Sequence, residues 1–186
     1  MGIIIAFVIL GVIIVGIVSG GVAIYNRLVM LKYNVDKNFA NIDVILKQRV
    51  DEIPNLIAVV KKTQGYEESL LNQLTELRTA FLSSRSTDEK VQLANEVGKL
   101  LNSFFAVSEN YPELKAVESF RTLQLRVSDL EDMLSDSREL YNESVNMYNI
   151  GIHEMPALLF ARPMGYTDKP LLHISEEEKK YDGIRF

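Results

Sequence analysis

The sequence predicts an all-α protein: one N-terminal transmembrane helix followed by an antiparallel four-helix bundle, with helices one and four long and helices two and three shorter. Three observations predict it. Residues 2–24 carry no charge. From Leu28 onward, apolar residues return every three or four positions in successive stripes, the pattern of a helix with one buried face. Only five prolines and ten glycines occur in 186 residues, most of them towards the chain ends, so long stretches lack helix breakers. The organisation this implies is an anchor at 1–24, a bundle at 25–155, and a tail at 156–186 packed on the bundle or on the membrane interface.

The first element follows from solvent. As a helix, residues 2–24 run roughly 34 Å, against a hydrocarbon core of about 30 Å. Isoleucine and valine are indifferent helix formers in water, but in lipid every backbone group must be bonded within the segment. A cleaved signal peptide would carry a basic leader, a shorter apolar core and a small-residue cleavage site. Here no Lys or Arg precedes the run. The first basic residues, Arg27, Lys32 and Lys37, follow it, so the positive-inside rule puts the N-terminus outside and the body in the cytoplasm. Gly16 and Gly20, with Ser19 and Ala23 beside them, form a small-residue stripe of the kind that lets two helices approach closely in lipid.

The body reads as helix after helix. Leu28, Leu31, Val35, Phe39, Ile42 and Leu46 form one stripe, resumed at Ile53, Leu56 or Ile57, and Val60. Pro54 predicts a bend or a break there, and Gly65 is the stop signal. Leu70, Leu74, Leu77 and Phe81 form the second stripe. Ser86 and Glu89 have capping-box spacing, so the third helix starts near Thr87. Its stripe is Ala94, Val97, Leu101, Phe104 or Phe105, and Ser108. Pro112 suits the first turn of a new helix. The last stripe is the longest: Phe120, Leu123, Val127, Leu130, Leu134, Ser137, Tyr141, Val145 with Ser144, Tyr148 and Ile152. It predicts a helix of about forty residues, closed by Pro156.

One repeat in this pattern stands out. Tyr-Asn occurs at 141–142 and again at 148–149, and near the other end at 25–26 and 33–34. If the fourth helix returns antiparallel to the first, the two sets lie side by side near the membrane surface. Tyrosine suits that depth, and asparagines there could bond across the helices and fix their register. The alternative is ordinary amphipathic seam residues without a binding role.

The stretch YNRLVMLKYNVDKNFANIDVILKQRVDEIPNLIAVVK resembles the opening helix of LemA-family bacterial membrane proteins, in Ala40-Asn41-Ile42-Asp43-Val44 and Ile53-Pro54-Asn55-Leu56. Tyr111 to Lys115 is similar to the family's Tyr-Pro-x-Leu-Lys turn, and Arg138 to Val145 to its Arg-x-x-Tyr-Asn-x-x-Val segment. The resemblance runs from Tyr25 to about Tyr166. It implies a short N-terminal anchor in a bacterial inner membrane, followed by a four-helix bundle, and it implies no reaction. The association of family members with vesicle formation and with neighbouring membrane proteases implies scaffolding or regulation.

Catalytic patterns are missing. The chain has no cysteine and two histidines, His153 and His173. A di-metal bundle needs Glu three residues before each His, and Ile150 and Pro170 occupy those positions. His153, at the end of the last helix, is expected to face terminal carbonyls. Glu67-Glu68 and Glu131-Asp132 read as solvated faces, and Glu176 to Glu178 with Lys179-Lys180 as exposed tail. A net charge of −5 disfavours a nucleic-acid partner. No metal and no cofactor is expected.

The candidate sites are therefore contacts. Asn26, Asn34, Asn41, Asp43, Arg49, Arg138, Asn142 and Asn149 are the candidate helix–helix polar residues, Gly16 and Gly20 the candidate packing stripe in the membrane, and Tyr25, Tyr148 and Phe160 the candidate membrane-interface residues. Ala157 to Phe160 either rests on the interface or covers the bundle's lower end. The function expected is non-enzymatic: a scaffold in the bilayer that self-associates or organises other membrane proteins. The alternative is a regulatory or sensory subunit that transmits a ligand- or partner-induced shift to the span.

Overall fold

The computed structural model describes residues 1–61, 68–85, 87–108 and 111–172. Gly65, Glu67, Ser86, His173 and the acidic and basic run at 176–180 lie outside the described residues. The elements are helices α1 (Gly2–Asp51), α2 (Ile53–Val60), α3 (Glu68–Ser83), α4 (Thr87–Ser108), α5 (Pro112–Lys115), α6 (Glu118–His153) and α7 (Leu158–Ala161). Among the described residues there is no strand. The chain forms two compact units, one of Met1–Phe39 with Arg138–Phe186 and one of Ala40–Ser137.

In the first unit, the start of α1 buries nothing. Residues 1–20 are all exposed, although most are apolar. A core helix of a water-soluble domain would hide such a surface. The next turns behave differently. Leu28, Leu31 and Val35 are at most 6 % exposed, while Arg27, Lys32 and Asp36 on the other faces are open to solvent. The stripe meets α6, whose Tyr141, Val145, Tyr148 and Ile152 are also buried. Arg27 pairs with Glu154 at 2.8 Å, Asn38 donates to the Leu140 carbonyl at 3.2 Å, and Phe39 meets Tyr141 edge to face at 5.6 Å. Low numbers on α1 thus meet high numbers on α6, so the two run antiparallel in this unit.

In the second unit, α3 packs on α4, α2 on α3 and α5 on α4. The expected break near Pro54 is present but slight. α1 ends at Asp51, and Glu52 keeps near-helical dihedrals (φ −78°, ψ −15°) before α2 begins with Pro54 in its first turn. Proline costs little there, because the first helical N–H groups have no partner within the helix. α4 starts at Thr87 as expected, and the Ser84 hydroxyl bonds the Glu89 carboxylate at 2.7 Å. Pro112 opens a new helix, but that helix is a single turn. α6 is 36 residues long.

The stripes are the core. Ile42, Leu46, Ile53, Leu56, Val60, Leu74, Phe81, Ala94, Val97, Leu101 and Phe104 are all nearly inaccessible. On α3, Leu71 is buried where Leu70 and Leu77 are half-exposed, a shift of a fraction of a turn. Phe104, Phe105 and Phe120 form one aromatic cluster with centroids 5.8 to 6.2 Å apart. The two buried serines in the stripes, Ser108 and Ser144, satisfy their hydroxyls locally. Ser108 bonds the Phe105 carbonyl at 2.6 Å, and Ser144 bonds the Tyr141 carbonyl at 2.7 Å, the usual way a helical serine is kept in an apolar seam.

Gly98 occupies a stripe position where a side chain is expected. A Cβ there would overlap all three outer atoms of the Arg49 guanidinium. Arg49 is 2 % exposed and pairs with Glu131. The missing methyl is what gives the guanidinium room. Gly98→Ala is therefore expected to lower the stability of the folded chain by about 1–3 kcal/mol, despite alanine's better helix propensity. Thermal melting of the detergent-solubilised protein checks this; an unchanged or raised melting temperature is the contrary result.

Candidate functional site

Among the described residues of the first unit, polar groups converge on a seat for the chain's own tail. After α7, Gly165 turns the backbone with φ +71°, a conformation glycine adopts without strain. Residues 167–172 then run as extended chain along α6. An extended segment has no internal partners for its N–H and C=O groups, so neighbours must supply them.

Two asparagines do this. The Asn149 amide donates to the Lys169 carbonyl at 2.9 Å and accepts from the Lys169 N–H at 2.9 Å. The Asn142 amide donates to the Leu172 carbonyl at 2.9 Å and accepts from the Leu172 N–H at 2.8 Å. Each asparagine uses one donor and one acceptor to satisfy one residue's main chain, which also fixes the orientation of the amide. The tyrosines beside them add one bond each. Tyr148 donates to the Thr167 carbonyl at 3.1 Å and Tyr141 to the Pro170 carbonyl at 3.5 Å.

The geometry explains the Tyr-Asn repeat. Seven residues of α-helix advance about 10.5 Å. Three residues of extended chain advance about 9–10 Å. A pair repeated every seven positions on α6 therefore meets a tail that repeats every three. Tyr148-Asn149 takes residues 167 and 169, and Tyr141-Asn142 takes 170 and 172, with the tail antiparallel to the helix.

Side chains tighten the seat. Lys169 reaches across to Asp36 on α1 at 2.6 Å and lies 5.6 Å from the centre of the Tyr148 ring. His153 meets Asp168 at 2.9 Å, with both groups well exposed. Tyr166 stacks beside Tyr148 at 6.1 Å, under the Lys32 ammonium at 5.9 Å. Burial pushes the Tyr148 phenol above its ordinary value of 10.0, and the neighbouring Tyr166 adds to the shift.

The second unit holds a separate polar group. Arg49 of α1 pairs with Glu131 of α6, and Glu52 pairs with Arg126. Glu52 also accepts from the Asn55 amide at 2.8 Å. Arg49 and Glu52 are both largely buried while Glu131 and Arg126 reach solvent. A buried charge with such a partner serves positional specificity more than net stability. Lys90 approaches Asp43 at 3.9 Å.

The residues singled out in the sequence fall as follows. Asn142 and Asn149 bond the tail's main chain. Arg49 and Asp43 pair with Glu131 and Lys90. Arg138 is buried, 9 % exposed. Asn26, Asn34 and Asn41 lie exposed on α1, as do Tyr25 and Tyr33. The early Tyr-Asn pairs therefore do not share the environment of the later ones. Tyr148 is 3 % exposed beneath the tail, and Phe160 is 37 % exposed with its ring against Gly21. Gly16 and Gly20 face open space. His153 contacts Asp168 rather than terminal carbonyls, because the tail brings a carboxylate alongside. Glu131, read as a solvated acid, is the partner of Arg49.

Sequence reasoning missed Gly98, Glu52, Asp36 and the tail residues 167–172. A glycine in a stripe was the available signal for the first; an acid beside Pro54 and a lone Lys-Pro in the tail carried none. Among the described residues there is no group of three or more His, Cys, Asp or Glu arranged to hold a metal ion.

Comparison with known proteins gives a consistent family. The model described as "LemA family" matches residues 38–186. Magnetosome proteins MamQ 1 and MamQ 2 of Paramagnetospirillum magneticum are each 22 % identical over 158 residues, covering 71 % of this chain and 58 % of the relative. Magnetosome protein MamQ of Magnetospirillum gryphiswaldense is 20 % identical over 175 residues, covering 80 % of this chain and 64 % of the relative. The chain thus spans about three fifths of the length of the curated relatives it matches.

Replacing Asn142 and Asn149 by alanine removes two main-chain bonds per site, each worth about 0.5–1.5 kcal/mol net. Amide exchange at Lys169 and Leu172 is expected to accelerate about ten-fold or more, while Asn26→Ala and Asn34→Ala leave it unchanged. Mass-spectrometric hydrogen exchange reads both.

A raised phenol value means the fold favours the neutral hydroxyl. Tyr148's contribution is complete below 10.0 and falls as pH climbs from there through its folded value. The stability gap between the wild type and Tyr148→Phe is therefore expected to narrow as pH rises above 10.0. Melting curves across that range test it; a constant gap would contradict it.

Proposed function

This chain belongs to the LemA family, and from that premise we propose that it is a membrane-anchored helical-bundle protein that works by binding: it self-associates in the bilayer and organises partner membrane proteins. The observation that carries this reading is the exposed apolar start of α1. Twenty residues, nearly all isoleucine, valine, leucine, phenylalanine, alanine and glycine, cover no core of their own chain. Water does not tolerate a patch of that size without a partner, and lipid rewards it.

In this reading, residues 2–24 cross a bacterial inner membrane once, with the N-terminus outside. Arg27, Lys32 and Lys37 lie on the cytoplasmic side. The helices α1 with α2, α3, α4 and α6 make an antiparallel four-helix bundle in the cytoplasm. Gly16 and Gly20, open to their surroundings, supply the close-approach face for a second span. Neither the family's description nor the relatives' names state a reaction, and the charged pairs described above serve the fold. They support a protein without enzymatic activity.

A second reading draws on one feature. α1 is one continuous helix through the uncharged run and the Leu28, Leu31 and Val35 stripe of the first unit, so a shift in that unit would be transmitted along it to the span. That favours a regulatory or sensory subunit.

Size-exclusion chromatography with light scattering separates the two. The scaffold predicts that the full chain in mild detergent elutes as a multimer, that removal of residues 1–24 gives a monomer, and that Gly16→Leu with Gly20→Leu weakens the multimer. A monomer in every case would favour the regulatory subunit.

A further inference from the structure

The segment between α6 and the tail is built inside out for a protein in water. Ala157 and Ala161, one helical turn apart, face inward and are 4 % and 2 % exposed. The large apolar residues face outward: Met155 is 69 % exposed, Leu159 63 %, Met164 39 % and Phe160 37 %. A surface turn in water places small or apolar residues inward and polar ones outward. Here the outward face is methionine, leucine and phenylalanine. The small inner residues hold the turn close to the unit, and its apolar bulk is left outside.

Its position identifies the solvent. The Phe160 ring lies 3.7 Å from where a Cβ on Gly21 would stand. Gly21 belongs to the uncharged run 2–24. About twenty helical residues fill a hydrocarbon core, so Gly21 sits at the hydrocarbon edge when that run crosses a membrane. The first charges on this side are level with one another: Arg27 on α1 pairs with Glu154 at the end of α6, at 2.8 Å. Tyr25, half-exposed at 49 %, lies between the two levels. Arg162, next to α7, is also exposed.

We propose that residues 155–164 form an interfacial foot, which inserts Met155, Leu159, Phe160 and Met164 into the boundary between headgroups and acyl chains of the leaflet where α1 leaves the membrane. The proposal rests on the anchor reading and adds a second, separate membrane contact to it. The partner is the lipid surface itself. The apolar side chains enter the acyl boundary, and Arg27 and Arg162 stay at the depth of the phosphates, where long basic side chains extend to the polar layer. A span alone leaves the unit free to tilt and rotate about its axis. A foot pressed on the same leaflet holds α6 and the tail seat at a set height and angle.

The chain contains no tryptophan, so a single introduced indole reports its own depth. Full-length Phe160→Trp and Leu159→Trp are reconstituted into phosphatidylcholine vesicles in which the lipids are brominated either near the headgroup end or near the tail end of the acyl chain. Val12→Trp marks the middle of the span and Leu171→Trp the seated tail. The foot predicts blue-shifted emission from Phe160→Trp and Leu159→Trp, quenched more by the shallow bromines than by the deep ones. Val12→Trp is quenched by the deep bromines, and Leu171→Trp by neither. Quenching of Val12→Trp with none at positions 159 and 160 overturns the foot and leaves the anchor standing. Absence of quenching at all positions overturns both.

Discussion

One helix in this protein meets two environments, and the rest of the structure depends on where the change occurs. Before Gly21, α1 is apolar on every face and buries none of them. From Leu28 on, it is apolar along a single stripe and buries that stripe nearly completely. The hydrophobic effect acts on both halves, but only the second half is answered from within the chain. The stripe recruits α6. The uncovered half needs a surrounding that is apolar on all sides. Every element of the first unit is placed by this division: the antiparallel run of α6, the turn of α7 against Gly21, and the return of the tail over the tyrosines.

The second unit handles charge in the same economical way. A guanidinium taken out of water is costly unless it is paired. Arg49 is paired with Glu131, and the space it occupies exists because position 98 has no side chain. Glu52 is matched by Arg126. In both pairs one member is nearly enclosed and the other reaches solvent, so neither pair is wholly stripped of water. These contacts fix which faces of the helices meet, whereas leucine and phenylalanine stripes alone tolerate sliding.

The tail seat rests on main-chain hydrogen bonding. The asparagines read main chain and ignore side chains, so the seat specifies an extended conformation and a spacing. The choice of segment comes from Lys169 towards Asp36 and Tyr148, and from Asp168 towards His153. The seat begins one short turn after α7, so whatever holds α7 also limits where the tail can lie.

Much was legible in the sequence. Periodicity identified the helices and nearly all of their buried positions, because a three-and-four pattern records which side of a helix faces apolar matter, independent of what that matter is. The uncharged run at 2–24 was equally plain. The starts near Thr87 and Pro112 followed from capping chemistry and from proline's missing donor. The Tyr-Asn repeat was visible as a pattern, but its purpose was not. Helix-to-helix bonding was the natural expectation, and the tail took that place, because an asparagine amide satisfies any well-placed N–H and C=O and sequence does not say whose. Gly98 beside Arg49, and Phe160 against Gly21, were likewise beyond reach. Local sequence determined which residues would be helical and which faces would seek burial; only the tertiary structure decided what each face and each amide would meet, because those partners lie up to a hundred and more residues away along the chain and are chosen by packing.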